Sequence, residues 1–236
     1  MSELTIPSKD GKPFKAYVAM PETLPAPTII LIQEIFGVNA EMRKKCDDWA
    51  SKGYIAVAPD LFWRLEPGVQ LTDKTKEEWE KAFGYYKRFD MNKGVEDLRA
   101  TVHTFRGHAE STGKVGVVGY CLGGFMAYLM ACRSKVDCAV GYYGAGIDEK
   151  LSEAKNIKAP FMFHIAENDE YMPKDAQKKI HAALDGKSLI KLYDYPGVQH
   201  AFARGNGNHY DKNAATKADN LTFNFFEQHL KNKKAA

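Results

Sequence analysis

Three residues of this chain have side chains of the types that together could perform nucleophilic chemistry: Cys121, Asp169 and His200. Cys121 lies in the run Lys114-Val-Gly-Val-Val-Gly-Tyr-Cys-Leu-Gly-Gly124. Gly119-Tyr120-Cys121-Leu122-Gly123 is G-x-C-x-G, the thiol form of the G-x-S-x-G nucleophile elbow, placed between an apolar strand and an apolar helix as that motif requires. A nucleophile on so tight a turn needs small neighbours. The helix that follows aims its free N–H groups at the site, where they can hold an oxyanion and favour thiolate over thiol. The glycines are not a P-loop, because no Gly-Lys-Ser/Thr follows.

A thiol nucleophile needs a base and an orienting acid. Downstream, a strand ends in Glu167-Asn168-Asp169-Glu170-Tyr171-Met172-Pro173. Asp169 fits the acid, with Pro173 four residues on. Glu167 and Glu170 are rivals. A later strand ends at Tyr195, and His200 sits in the following loop, just before the last helix. Of the other histidines, His103, His108, His181 and His229 fall on expected helices, His209 lies in a Gly-Asn loop, and His164 falls inside a strand as a core histidine. The order nucleophile, acid, histidine is that of an α/β-hydrolase.

The elements around these residues alternate. A hairpin is expected from Leu4 to Pro7 and from Phe14 to Met20, turning at Asp10-Gly11. Continuous apolar runs at Thr28–Gln33 and Tyr54–Ala58 read as strands buried on both faces. Helices are expected over Ala40–Lys52, Thr75–Arg88 and Val95–His108. Then come strand Lys114–Gly119, helix Leu122–Cys132, strands Val136–Tyr142 and Phe161–Ala166, a helix near Lys174–Leu184, strand Leu189–Tyr195 and helix Ala214–Leu230. This pattern predicts an α/β-hydrolase fold, a mostly parallel central sheet with helices on both faces, forming one domain over residues 1–236. The irregular stretch Leu61 to Asp90 is expected to cover a site rather than to form a domain.

Composition narrows the function classes. With 44% hydrophobic and 27% charged residues the chain reads as globular. A net charge of +3 offers no electrostatic case for nucleic acid. The basic end, Lys231, Lys233 and Lys234, is expected to complement the dipole of the last helix. No apolar leader and no membrane-length apolar run is evident, so a cytoplasmic protein without a membrane partner is expected. The cysteines Cys46, Cys121, Cys132 and Cys138 have no metal-ligand spacing and are expected to be reduced thiols, with no metal bound. The sequon at Asn220 carries no weight in such a protein.

Several segments resemble the dienelactone hydrolase (carboxymethylenebutenolidase) family. They are Gln33-Glu34-Ile35-Phe36-Gly37-Val38-Asn39, Phe89-Asp90-Met91, Gly119 to Gly124, Gly141-Tyr142-Tyr143-Gly144 and His200-Ala201-Phe202-Ala203-Arg204. The resemblance covers nearly the whole chain. It implies opening of a lactone ester, in the degradation of chloroaromatic compounds, by a Cys-His-Asp triad without metal or organic cofactor. By position the triad is Cys121, His200 and Asp169, and the oxyanion donors are the N–H groups of Leu122 and Ile35. Glu34 matches a carboxylate that contacts the thiol, and Arg204 an arginine that binds the substrate carboxylate. A second family arginine falls at Trp79, and neither Lys81, Lys87 nor Arg88 is an obvious substitute. The expected partner is therefore a small ester or lactone. Its alternatives are a neutral ester or a thioester. A non-catalytic binding protein would show a decayed triad, and a thiol sensor would need a resolving cysteine near Cys121.

Overall fold

The computed structural model describes residues 2–231, in two compact units, Met1–Val115 and Gly116–Ala236. The chain passes from one to the other within β5 (Ser111–Tyr120).

In the first unit β1 (Ser2–Pro7) and β2 (Pro13–Ala19) form the expected antiparallel hairpin, with Ile6 opposite Phe14. The turn uses Gly11 at φ 80°, where a residue without Cβ is unstrained. β2 then pairs antiparallel with β4 (Ile55–Pro59), and β4 pairs parallel with β3 (Ala26–Ile32). Every residue of β3 and β4 is buried, as continuous apolar runs require. α1 (Ala40–Ser51) is capped by Asn39, whose side chain accepts from the Met42 N–H, and it buries Met42, Cys46, Trp49 and Ala50.

The stretch after β4 is ordered by two buried carboxylates. Asp60 accepts from the N–H groups of Phe62 and Gly68. Asp97, only 1% exposed, accepts two hydrogen bonds from Arg64 and one from the Trp63 indole. α2 (Lys76–Arg88) starts on a Thr75 cap. α3 (Met91–Arg106) begins one turn before the expected Val95, because Asp90 caps it by accepting from the Asn92 and Lys93 N–H groups. It packs on β1 and β3.

In the second unit β5, β6 (Cys138–Tyr142), β7 (Phe161–Ala166) and β8 (Ile190–Tyr195) pair in that order, all parallel. α4 (Leu122–Arg133) is buried almost throughout, which explains its uniformly apolar sequence. It lies unusually close to β6: a Cβ on Gly124 would stand 2.2 Å from the Tyr142 carbonyl oxygen. A 3₁₀ segment, Ile147–Asn156, was not foreseen and packs against α4 and against α5 (Lys174–Leu184). α6 (Lys212–Phe226), capped by Asp211, ends in a π turn over Glu227–Lys231. Lys231 pairs with Glu227 at 2.8 Å, and Lys233 and Lys234 lie outside the described residues. No helix among the described residues is long and apolar enough to cross a membrane.

Candidate active site

Cys121 is the residue between β5 and α4. Its backbone has φ 55° and ψ −117°, outside the regions L-residues favour. Packing over-determines this strained turn. The Cys121 N–H donates to the Tyr142 carbonyl at 3.1 Å, and its own carbonyl accepts from Gly124 and Phe125 at 2.9 and 3.2 Å. Gly119 is obligatory here, since a Cβ would lie 1.9 Å from the Gly123 oxygen. The thiol is partly exposed, whereas Cys46, Cys132 and Cys138 are buried. The Leu122 N–H opens α4 and has no acceptor within its own helix, so it sits at the positive end of the dipole.

The loop after β7 brings Asp169 to His200. Asp169 Oδ2 is 2.8 Å from His200 Nδ1, and both side chains are buried. Its other oxygen accepts from the Tyr171 N–H at 2.9 Å, which fixes the carboxylate plane. The rivals are placed otherwise. Glu167 accepts from the Gly197 N–H and pairs with Lys174, which holds its carboxyl below the usual range. Glu170 is exposed. The acid and base loops are also tied together, with Asn168 N–H donating to the Val198 carbonyl at 2.9 Å.

His200 Nε2 is fully buried, and Cys121 is the group other than Asp169 that acts on the ring. Burial disfavours the imidazolium. The interaction with Cys121 and the Asp169 hydrogen bond outweigh that cost, and the His200 pKa is raised. Two tyrosines flank the ring edge-on: Tyr143 at 5.1 Å and Tyr171 at 4.8 Å between centroids. Tyr143 itself has a positive φ of 39°. Sequence reasoning assigned neither a role. Tyr143 stood in the Gly-Tyr-Tyr-Gly segment and Tyr171 two residues after Asp169, but nothing in a sequence shows a ring turned toward an imidazole.

The residue after the base, Ala201, adopts φ 64°, and the His209 ring donates to the His200 carbonyl at 3.1 Å, so the Gly-Asn loop is anchored at its histidine. Arg204 is not a surface arginine. It is 9% exposed, and its N–H donates to the Ala201 carbonyl.

In the first unit Glu34 and Ile35 follow the C-terminal end of β3, and both are buried. Gln33 braces this turn, donating to the Glu34 carbonyl and accepting from the Leu61 N–H. Phe36 packs edge-on against Trp79 at 5.0 Å, and Trp79 in turn stacks on Phe83. The position that carries an arginine in the resembled family thus holds an aromatic cluster. Among the described residues no group of three or more His, Cys, Asp or Glu is arranged to hold a metal.

These features, with the strand order and the elbow, define an α/β-hydrolase fold of mixed strand direction flanked by helices. A solved structure from Klebsiella pneumoniae matches it with a TM-score of 0.85 at 25% identity, over 96% of this chain and 98% of the other. The chain belongs to the dienelactone hydrolase family, whose model matches residues 14–230. A relative in Azospirillum brasilense is 45% identical over 232 residues, covering 98% of this chain and 100% of its own. The carboxymethylenebutenolidase of Pseudomonas putida is 39% identical over 222 residues, 94% of each chain. The protein is accordingly a hydrolase of the α/β-hydrolase superfamily.

Proposed function

We propose that this protein is a cytoplasmic, cofactor-independent hydrolase that opens an ester or lactone bond through an acyl-enzyme on Cys121. The observation that carries this reading is the buried 2.8 Å contact between Asp169 and His200, with the ring electrostatically coupled to a cysteine held on a strained elbow. In the first step the Cys121 sulfur forms a bond to the acyl carbon, and the carbonyl electrons move onto oxygen. The Leu122 N–H at the start of α4 supports that charge, and family resemblance assigns the second donor to Ile35. The intermediate collapses, the acyl carbon–oxygen bond breaks, and His200 delivers its proton to the leaving alkoxide. A water then gives a proton to His200 and adds to the thioester carbon. The carbon–sulfur bond breaks, which frees the acid and restores the thiolate. Asp169 holds the imidazole in one tautomer and orientation throughout.

The substrate reading follows from Arg204 and Trp79. A guanidinium suits a carboxylate. The indole at position 79, packed on Phe36 and Phe83, favours an apolar or aromatic group where family members recognise a second charge. The substrate class is thus a lactone or ester with a single carboxylate, resembling a dienelactone. The alternative is a neutral ester or thioester.

Glu34 is the proposed gate. Its carboxylate would repel a thiolate, so the resting thiol stays neutral. When substrate displaces it, Glu34 takes the Cys121 thiol proton and releases the thiolate for attack, and the proton returns to sulfur once the acid has left. A panel of lactones and esters, half with a free carboxylate, tests substrate class. Rapid quench and intact mass should show an acyl adduct on the Cys121 peptide. Turnover that survives Cys121→Ala would refute the mechanism. Arg204→Ala should raise KM for the acidic substrate and leave its methyl ester little changed. Glu34→Gln should alter the pH dependence of Cys121 alkylation, and fast wild-type labelling at low pH, unaltered by the mutation, would remove the gate.

A further inference from the structure

Behind the triad lies a chain of buried polar side chains that the proposed chemistry does not use. Tyr142 Oη is 2.9 Å from Asp219 Oδ1 and 2.7 Å from Thr222 Oγ1. Thr222 Oγ1 is 2.9 Å from His164 Nε2, and His164 Nδ1 is 2.8 Å from Tyr195 Oη. Tyr142, His164 and Thr222 are wholly buried, and Tyr195 nearly so.

Proton counting fixes the direction of every bond. A carboxylate only accepts, so Tyr142 spends its single hydroxyl proton on Asp219. Thr222 must therefore donate to Tyr142. With its one proton spent, Thr222 must accept from His164, so the proton of that ring is on Nε2. A neutral ring then accepts at Nδ1 from Tyr195. Burial with no carboxylate against the ring keeps it neutral, pushing its pKa down to about 3. The result is one unbroken run of bonds from Tyr195 to Asp219, with every side-chain proton of the run donated within it.

Three members of this run also hold the site through their backbones. The Tyr142 carbonyl accepts from the Cys121 N–H at 3.1 Å. The His164 carbonyl accepts at 2.8 Å from the N–H of Tyr143, whose ring flanks His200. The Tyr195 carbonyl accepts at 3.1 Å from Glu167, two residues before Asp169. Phe202, two residues after His200, packs on the Tyr142, Tyr143 and Tyr195 rings.

We propose that Asp219, Tyr142, Thr222, His164 and Tyr195 form a positioning relay, in which the Asp219 carboxylate orients each hydrogen bond in turn and so fixes the strand ends that carry Cys121, Asp169 and His200. The relay rests on the reading of those three residues as a triad. Its members are positioning residues that touch no substrate.

Thr222→Val is the first test, because it keeps the shape and removes both bonds of the central link. With any ester that the wild type turns over, kcat falls about tenfold or more while KM stays within about twofold, since a sub-ångström misplacement acts on the reacting geometry and not on binding. Thr222→Ser restores kcat to within about threefold. Nitrogen-15 spectra of the wild type show His164 as the Nε2–H tautomer, unchanged from pH 5 to 8, and Thr222→Val alters that signal. Asp219→Ala, which removes only the half-buried terminal acceptor, shifts kcat and the His164 signal in the same direction if Thr222→Val does not fold. The rate of Cys121 alkylation by iodoacetamide is read alongside and needs no substrate. If the wild type hydrolyses no ester, the hydrolase reading fails, while the tautomer and alkylation rates still decide the relay. A Thr222→Val protein that melts lower but keeps wild-type kcat and alkylation rate overturns the proposal, as does an Nδ1–H tautomer in the wild type.

Discussion

Replacement of Gly119 by alanine tests whether the elbow holds Cys121 in place. The added Cβ would stand 1.9 Å from the Gly123 oxygen, 2.2 Å from its carbon and 2.9 Å from its Cα. All three are backbone atoms, so no side chain can swing aside. Ordinary contact begins near 3.4 Å, so the first turn of α4 must retreat by about 1.5 Å or β5 must bend away. Either movement carries Cys121 and the Leu122 N–H away from His200. Misplacement by about 1 Å costs about 10²-fold in rate, so kcat should fall by at least that much. Overpacking against backbone should cost about 3 kcal/mol, the upper end for inserted methyl groups. For a chain of this size that lowers Tm by about 6–12 °C. Ester turnover, Cys121 alkylation and thermal melting are measured together. Gly84→Ala in α2 is the control: nothing lies within 4 Å of its added Cβ, so it should gain about 0.5–1 kcal/mol from helix propensity with no loss of rate. If Gly119→Ala keeps its rate to within threefold and its melting temperature, the tight turn does not hold the nucleophile and the argument from the elbow is wrong.

His200→Ala should lower kcat by about 10²–10⁴ and Asp169→Asn by much of that, while Glu167→Gln and Glu170→Gln stay mild. A crippled Glu170→Gln beside a healthy Asp169→Asn would reassign the acid. Brief alkylation of the native protein should label only Cys121, because Cys46 and Cys138 are wholly buried and burial pushes the Cys46 thiol up and the Cys132 thiol to about 11. Label on the Cys132 peptide would count against this. Stability should also depend on His164. Its folded pKa of about 3 lies below the 6.5 of a free imidazole, so below pH 6.5 the unfolded chain binds a proton that the folded one refuses. Its contribution is intact above pH 6.5 and is lost as pH falls toward 3, with a slope of up to about 1.4 kcal/mol per pH unit. His200, with a raised pKa, has the opposite sign: its contribution is full below pH 6.5 and is lost as pH rises through the folded value. Urea unfolding from pH 4.5 to 7, wild type minus His164→Gln, isolates the first effect, and a flat difference would refute it.

What the sequence determined by itself is local. Strand and helix periods, the Asp10-Gly11 turn and the Gly119-to-Gly123 spacing each involve residues a few positions apart, and the elements they predict stand in the structure with ends shifted by a few residues. The elements around Cys121, Asp169 and His200 were legible for the same reason. Where several residues of one type crowd a loop, periodicity says nothing. The pairing of Asp169 rather than Glu167 or Glu170 with His200 depends on how the loop after β7 meets the loop after β8. The early start of α3 turned on whether Asp90 would cap. The 3₁₀ segment carries no periodic pattern of its own and exists through its packing on α4 and α5. The burial of Arg204, the tyrosines beside His200 and the relay through His164 join residues up to 80 positions apart. Hydrogen bonds and ring contacts act over a few ångströms, so only the folded chain decides which distant residues share them.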